Sequence, residues 1–287
     1  MSRVAIVTDS ASDFDPARAA SLGISIVPLL VSFGNETYSA GVDMTTDQFW
    51  DRMTQPDAPF PKTAACSPGT FQSIYQKAFD DGAESIVSVH VADTLSGTLK
   101  AAQVARATFR DRDIQIVDSM SASMGEGVLA EIGVEMANAG ASAADIAAQL
   151  TRRRDDIAIY LALDTLEYLK RGGRISGARA AIGTLLSVKP IIEVKQGAVD
   201  QAERVRTRGK ARERLVELLT ARPIERLSIL HTTNAGVEEF AEQLMARAPG
   251  LDRSKVTIDL VGASVGPHVG PGCVGGVALY REGARPS

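Results

Sequence analysis

The stretch Val4-Ala-Ile-Val-Thr-Asp9, followed shortly by Asp15-Pro16, decides how this chain begins to fold. Its apolar residues come first and its polar residues last, which predicts a buried strand ending at Thr8 and Asp9. Asp15 is a favoured N-cap residue and proline is favoured in the first helical turn, so a helix is predicted over 17–22. The chain therefore opens with a strand, a loop and a helix.

The same alternation continues through the first half of the sequence. Further strands are predicted at 24–31, 85–91 and 114–118, and helices at 67–78 and 96–109. Nearly continuous apolar strands alternating with helices are typical of a parallel sheet covered on both faces. We therefore predict an N-terminal α/β domain over 1–155, a fold in which ligands bind beyond the carboxyl ends of the strands.

The pattern changes after the charged cluster Arg152-Arg153-Arg154-Asp155-Asp156. Strands are predicted at 157–163, 191–194, 198–205, 227–231, 256–261 and 277–280, and helices at 210–221 and 237–248. A turn at Gln196-Gly197 between two of these strands indicates antiparallel pairing. The second half is therefore predicted as a C-terminal α/β domain over 156–287 with a mixed sheet.

Composition and charge exclude several classes of protein. Hydrophobic residues make up 45% of the 287 residues and charged residues 23%, which is typical of an ordinary folded protein. A net charge of -4 argues against nucleic acid as a partner, because duplex-binding domains carry a basic face. No apolar run reaches the ~20 residues of a membrane-spanning helix, and the first ten residues lack the pattern of a signal peptide.

The two cysteines, Cys66 and Cys273, lie far apart and show no metal-ligand spacing. Such residues are more often small buried hydrophobic groups than a disulfide or a metal site. We therefore expect a cytoplasmic protein that has no metal site and no stable membrane insertion.

Two segments near the C-terminus match the sequence patterns of catalytic or cofactor-binding motifs but lack the structural context that those motifs require. Gly262-Ala-Ser264-Val-Gly266 has the serine-hydrolase pattern, but Pro267 follows at once without the helix that this motif requires. Gly270-Pro-Gly272-Cys-Val-Gly275 has the dinucleotide pattern, but the chain ends before the required acidic residue. A serine esterase using Ser264 remains an alternative, and no bound cofactor is expected.

Two hydroxyl-bearing segments are better placed for binding an anion. Ser96-Gly97-Thr98 comes where one predicted strand has ended and a helix begins, so its N–H groups and hydroxyls would face the carboxyl edge of the sheet. Thr63 precedes another helix start on the same side of the sheet. Ser96 could equally be a plain helix cap, and a small-anion binding protein is a second alternative.

The three histidines fall into two groups. His90 lies inside a predicted strand and His231 at a strand end, positions typical of hydrogen-bonded groups in or near the core. His268 lies in Gly266-Pro-His-Val-Gly-Pro-Gly272, where glycine and proline specify the backbone closely. His268 is therefore a candidate ligand contact.

Motifs along nearly the whole chain match those of one family, namely Ile6-Val-Thr-Asp-Ser10, Gly41-Val-Asp43, Thr63 with Ser67-Pro-Gly, Leu95-Ser-Gly-Thr98, Asp118-Ser119 with Ser123-Met-Gly-x-Gly127, Leu166-x-x-Leu-Lys-Arg-Gly-Gly-Arg-Ile-Ser176, Arg206-Thr-Arg208 and Gly266-x-His268-x-Gly-Pro-Gly272. Most are weak singly, but together they are specific. The chain resembles the DegV family, whose members serve as the fatty-acid-binding subunit of bacterial fatty acid kinase.

The resemblance implies a two-domain α/β protein that holds one long-chain fatty acid in a slot between the domains. Thr63, Ser96 and His268 match the residues that bind the carboxylate, with Gly97, Thr98 and Gly270 in the supporting loops. A separate ATP-dependent subunit, similar to dihydroxyacetone kinases, would bind ATP and Mg²⁺ and convert the carboxylate to an acyl phosphate for phospholipid synthesis. The chain itself would be non-catalytic.

Four arginines are candidates for docking the kinase, because the guanidinium fork matches phosphate and carboxylate geometry. They are Arg171, Arg174, Arg206 and Arg208. A solvated charged face is the alternative for each one. The chain departs from the family at Ala64-Ala65-Cys66, where Ser-Gln-Pro is common, and at Pro267 and Val269 beside the histidine. These departures concern the polar contacts that surround the three carboxylate-binding residues.

Overall fold

The computed structural model describes residues 3–175, 188–232 and 236–283. The chain forms two compact units, one of Met1–Asp155 with Gly262–Ser264, the other of Asp156–Val261 with Val265–Ser287. The three residues 262–264 thus join the first unit rather than the C-terminal domain that the sequence predicts for them. Among the described residues, no helix has both the length and the apolar character needed to cross a membrane.

The first unit contains most of the predicted alternation of strands and helices. Its elements are β1 (Val4–Asp9), α1 (Pro16–Leu22), β2 (Ile24–Val27), β3 (Leu30–Phe33), β4 (Glu36–Ser39), α2 (Thr46–Met53), β5 (Lys62–Ala64), α3 (Pro68–Asp80), β6 (Ser85–His90), α4 (Thr98–Arg106), β7 (Asp113–Asp118), α5 (Met124–Asn138) and α6 (Ala143–Arg153). Asp15 caps α1 by accepting the Arg18 N–H, and Ser67 caps α3 by accepting the Thr70 N–H. These caps confirm the two helix starts predicted from the sequence.

The main sheet of this unit has the strand order β2-β1-β6-β7, with every neighbouring pair parallel. All six residues of β6 are buried, as expected for a strand covered on both faces. The predicted parallel sheet is therefore confirmed. It places the ends of β1 and β6 side by side, where Asp9 and His90 are the last residues of their strands.

Two predictions of local structure in this unit are wrong in detail. The strand predicted over 24–31 is two strands, because β3 leaves the parallel sheet and pairs with β4 and β5 in a separate antiparallel sheet. Pro28 lies between β2 and β3, and proline has no N–H to continue a strand ladder. The helix predicted over 96–109 begins at Thr98 and ends at Arg106.

The second unit is built on one six-stranded sheet. Its elements are β8 (Ile157–Ala162), α7 (Glu167–Gly172), β9 (Lys189–Lys195), β10 (Ala198–Val205), α8 (Arg208–Leu219), β11 (Ile224–His231), α9 (Val237–Arg247), β12 (Val256–Leu260), α10 (Gly266–Val269) and β13 (Val274–Tyr280). The strand order is β10-β9-β8-β13-β11-β12, in which only β11 and β12 are parallel neighbours. The predicted mixed sheet is therefore confirmed.

A turn and a close contact explain two glycines of this unit, and one prediction for the unit is wrong. Gln196 and Gly197 have φ angles of 49° and 73°, the left-handed values that a two-residue hairpin between β9 and β10 requires. A Cβ on Gly275 would lie 2.1 Å from the carbonyl oxygen of Tyr160 on the neighbouring strand. The predicted absence of a helix after Gly266 is wrong, because α10 begins there with Pro267 in its first turn.

Candidate functional site

The loop that carries Ser96 connects β6 to α4 in the first unit. Gly97 is the N-cap residue of α4, and the Ser96 hydroxyl oxygen accepts the Thr98 N–H at 3.3 Å. The Ser96 and Thr98 hydroxyls also share a hydrogen bond of 2.7 Å. Ser96 is half-buried. Its hydroxyl therefore stands one residue ahead of the cap, beside the first N–H groups of a helix, where a negative charge is favoured.

Thr63 lies on β5, which pairs with β3 so that Thr63 is opposite Val31. A Cβ placed on Gly97 would lie 3.9 Å from the Cβ of Ala65, just after β5. The segments that carry Thr63 and Ser96 are thus neighbours in the first unit. Both side chains are half-buried, so neither is enclosed in the core.

His268 belongs to the second unit and lies on the short helix α10, against α7. A Cβ on Gly172 would fall 2.2 Å from His268 Nδ1, and one on Gly270 would fall 2.3 Å from the ring of Tyr168. These contacts explain why glycine occupies positions 172 and 270. Burial, with the positive charge of Arg174, lowers the pKa of His268 to about 4. The imidazole is therefore neutral at pH 7 and offers one N–H donor.

The four arginines predicted for docking have different surroundings in the second unit. Arg171, Arg206 and Arg208 are exposed, whereas Arg174 is half-buried and donates to the Gly172 carbonyl oxygen at 2.6 Å. Arg208 Nη2 donates to Asp164 Oδ2 at 2.5 Å. Ser176, the last residue of the motif that contains Arg171 and Arg174, lies outside the described residues.

Asp164 joins Arg208 to Lys189 at a small, open cavity that Ala162, Gly272 and Val274 also line. Lys189 Nζ donates to Asp164 Oδ1 at 2.8 Å. Partial burial alone would raise the pKa of Asp164, but hydrogen bonds from Arg208 and Lys189 outweigh it and hold that pKa below its usual value. Arg212 also lines the cavity.

Ser264 is buried in the first unit, and its hydroxyl shares a hydrogen bond of 2.8 Å with the Ser10 hydroxyl. The neighbouring Gly262 N–H donates to Asp13 Oδ1 at 2.9 Å. Within the described part of that unit, Ser264 has no hydrogen bond to a histidine. The serine-esterase alternative therefore gains no support from this geometry.

His90 is fully buried, as predicted for a core histidine, but the sequence reasoning missed its partners. Its Nδ1 lies 3.0 Å from Asp9 Oδ2, and its Nε2 lies 2.6 Å from the Ser88 hydroxyl. Asp9 and His90 close two strands that the parallel sheet makes neighbours, so strand order was the signal that could have revealed the pair. His231, at the end of β11, donates from Nδ1 to the Thr232 carbonyl oxygen at 2.7 Å.

Comparison with known proteins gives the same fold over the whole chain. The model of the family described as "Uncharacterised protein, DegV family" matches residues 3–281. The DegV domain-containing protein SCO2569 of Streptomyces coelicolor is 35% identical, with 98% of this chain and 100% of the relative covered.

Two solved structures describe fatty-acid binding by similar proteins. A DegV family protein from Thermus thermophilus, whose structure describes fatty acid binding, is 32% identical with a TM-score of 0.85, covering 97% of this chain and 100% of that chain. A stearic acid-binding protein from Eubacterium ventriosum is 26% identical with a TM-score of 0.85, covering 97% and 98%.

The fold defines a two-unit α/β protein with a parallel sheet in one unit and a mixed sheet in the other, and two hydroxyl-bearing loops lie side by side in the first unit. The matches to the family and to SCO2569 extend over nearly all of the chain. The chain belongs to the DegV family.

Proposed function

We propose that this protein binds a long-chain fatty acid and presents its carboxylate to a separate ATP-dependent kinase subunit, similar to dihydroxyacetone kinases. The partner would bind ATP and Mg²⁺, form the acyl phosphate and so feed phospholipid synthesis. The observation that carries the proposal is the whole-length similarity to the fatty-acid-binding protein of Thermus thermophilus. The sequence has no phosphate-binding loop of the G-x-x-x-x-G-K type, which agrees with a presenting role.

The proposed ligands of the carboxylate are Thr63, Ser96 and His268. A carboxylate that leaves water must regain hydrogen bonds, since an unpaired buried charge costs many kcal/mol. Two hydroxyls and the N–H of a neutral imidazole are donors that replace those of water without adding a second charge. The start of α4 adds the favourable end of a helix dipole beside Ser96.

The fatty-acid tail would supply most of the affinity. Burying ~14 methylene groups at about 0.8 kcal/mol each contributes roughly 11 kcal/mol, against an association cost of about 4 to 15 kcal/mol. The head-group contacts then mainly fix where the carboxylate stands, which is what presentation to a second enzyme needs.

The first test is mass spectrometry of an organic extract of the purified protein, beside native mass spectrometry of the intact chain. We expect one fatty acid per chain. A protein that is purified empty and also refuses added fatty acids contradicts the proposal and favours a small-anion binder. Labelling by a serine-directed fluorophosphonate probe would instead favour the esterase.

Replacing Ser96 by alanine separates a ligand contact from a structural one. We expect Ser96→Ala to weaken fatty-acid binding by roughly tenfold to a hundredfold, the value of one hydrogen bond to a charged group, with little change in melting temperature. The matched control is Ser142→Ala, because Ser142 caps α6 through the Asp145 N–H. That variant should lose about 0.5 to 2 kcal/mol of stability and keep its affinity. The opposite pattern would show that Ser96 is structural.

The kinase step needs its own test, with Arg206→Ala at limiting concentrations of this protein. We expect acyl phosphate formation to fall several-fold while fatty-acid binding stays the same, because the exposed guanidinium is proposed to contact the kinase. Arg253→Ala is the control, since Arg253 is also exposed but pairs with Glu242 on its own unit. Equal rates for both variants would remove Arg206 from the docking surface. The same assay can then be run for Arg171, Arg174 and Arg208.

A further inference from the structure

Three ionisable side chains that take no part in the proposed lipid contacts meet inside the first unit. Asp9 ends β1, His90 ends β6, and Glu126 lies in the first turn of α5. All three residues have no exposed surface. Each offers one potential ligand atom, and these atoms lie within 4.8 Å of one another.

The hydrogen bonds of His90 link a carboxylate, a histidine and a serine in the order of a catalytic triad. The cluster differs from a catalytic triad because a substrate cannot reach it. Asp9 Oδ2 lies at Nδ1 of the ring, and the Ser88 hydroxyl lies at Nε2. The Tyr75 hydroxyl donates to Ser88 Oγ at 2.8 Å. Ser88 and Tyr75 are both fully buried, so no substrate reaches this serine. The arrangement therefore does not support hydrolysis.

Glu126 is the member of the cluster whose bonding is incomplete. Its Oε1 accepts the Thr8 hydroxyl at 2.5 Å and the Asp9 N–H at 3.2 Å. Its Oε2 is buried and has no hydrogen-bond partner within the described part of the chain. A buried carboxylate oxygen normally has a partner, because leaving it without one costs more than a lost hydrogen bond. The unbonded atom thus offers a position for a further donor or for a cation.

The charge of the cluster leads to the same conclusion. Two carboxyl groups, those of Asp9 and Glu126, lie together in the interior of the first unit. Among the described residues, the one basic side chain paired with this cluster is His90, whose Nδ1 lies 3.0 Å from Asp9 Oδ2. One divalent cation would balance the charge of the two carboxylates.

We propose that Asp9, His90 and Glu126 form a binding site for one divalent transition-metal ion, with zinc as the best match. Zinc takes imidazole nitrogen and carboxylate oxygen at about 2.0 to 2.2 Å in tetrahedral geometry, so two ligand atoms of one ion lie about 3.3 to 3.6 Å apart. The potential ligand atoms of the three residues all lie within 4.8 Å of one another. Binding therefore needs the three side chains to draw together by at most about 1.5 Å. Hard cations such as Mg²⁺ fit less well, because they prefer six oxygen ligands.

The surroundings fit this role for His90. A metal-bound histidine usually donates its other ring N–H to a neighbouring oxygen, which fixes the ring. If Nδ1 faces the ion beside Asp9, Nε2 would donate to Ser88, which Tyr75 already holds from the other side. The site would be structural, because no exposed position is left for a substrate. It would tie β1, β6 and α5 together.

The test is metal analysis of protein purified without chelators and without an immobilised-metal column. We expect about one zinc per chain by plasma mass spectrometry, and a lower melting temperature after the metal is removed. Zn²⁺ added back should restore the melting temperature, whereas Mg²⁺ should not. Glu126→Gln keeps the shape but removes the charge, and it should weaken Zn²⁺ binding by at least tenfold to a hundredfold, the usual loss even for an indirect partner.

The matched control is Glu131→Gln on the same helix, because Glu131 pairs with Arg18 near the surface. It should bind Zn²⁺ like the natural chain. If Glu126→Gln does not fold, X-ray absorption on the natural chain decides, since the proposal requires nitrogen and oxygen ligands only. Sulfur in the first coordination sphere would place the metal at Cys66 or Cys273 and overturn the site. Protein that is purified metal-free and gains no stability from Zn²⁺ would also overturn it, leaving a proton shared by Asp9 and Glu126 as the explanation.

Discussion

The two units of this protein hold their main polar networks in different environments. In the first unit the network of Asp9, His90 and Glu126 is sealed at the ends of parallel strands. In the second unit Asp164 joins Lys189 and Arg208 at the rim of a cavity, where the Arg208 side chain is 66% exposed. Water can replace a lost partner in the second network but not in the first. Similar substitutions should therefore have very different costs.

The largest effect is expected for Asp9→Ala. The Asp9 carboxylate accepts from the N–H groups of Ala11 and Val91 as well as from His90, so its removal leaves buried donors without an acceptor. Removing one partner of a buried charged pair costs about 3 to 5 kcal/mol. Urea unfolding should show this loss, and hydrogen exchange should place it in β1 and β6. A loss below about 1 kcal/mol would mean that the interior of the first unit admits water.

An intermediate effect, visible in its pH dependence, is expected for His268→Gln. The pKa of His268 is lowered from its ordinary 6.5 to about 4, so between these values the unfolded chain binds more protons than the folded chain. Stability from this group is present above pH 6.5 and is lost as the pH falls toward 4. The natural chain should therefore lose stability relative to the glutamine variant over this window.

Unfolding of the two proteins in urea at several pH values checks this prediction. His231→Gln is the control for losing a half-buried imidazole in the same unit. A constant difference in stability between the natural chain and His268→Gln would show that the ring of His268 is as hydrated as in the unfolded chain.

The smallest effect is expected for Asp164→Asn in the partly exposed network. Asp164 forms ion pairs with Lys189 and Arg208, whose side chains are 28% and 66% exposed. Ion pairs that water reaches contribute only about 0 to 1 kcal/mol. Thermal unfolding should therefore change little, and the small difference should shrink further in high salt. A loss as large as that of Asp9→Ala would remove the contrast between the two networks.

Much of the fold could be predicted from the sequence because its signals are local. Apolar runs such as Val4–Asp9 and caps such as Asp15 and Ser67 depend on neighbours along the chain, and both caps are confirmed. The split of 24–31 into β2 and β3 was missed, although Pro28 marked it. Strand order decides which sheet a segment joins, and strand order depends on contacts distant in sequence.

The candidate site likewise has some features that local sequence signals predict and others that depend on contacts distant in sequence. The Thr63 and Ser96 segments are neighbours, but the prediction that both lie at one edge of the parallel sheet missed that Thr63 lies on β5 of the antiparallel sheet. The burial of His90 was foreseen. Its contact with Asp9 was not, because 81 residues separate them and only the pairing of β1 with β6 joins them. The role of Gly172 in making room for His268 was equally invisible, since it depends on how α7 packs against α10.

The return of Gly262–Ser264 to the first unit affects how this architecture can be divided. The chain passes into the second unit after residue 155, leaves it at 262 and re-enters it at 265. A fragment ending at residue 155 would lack the N–H of Gly262 that binds Asp13, and the hydroxyl of Ser264 that binds Ser10. The units are therefore not interchangeable modules. A chimera that exchanges the first unit with that of a relative must therefore transfer residues 262–264 together with residues 1–155 in order to fold.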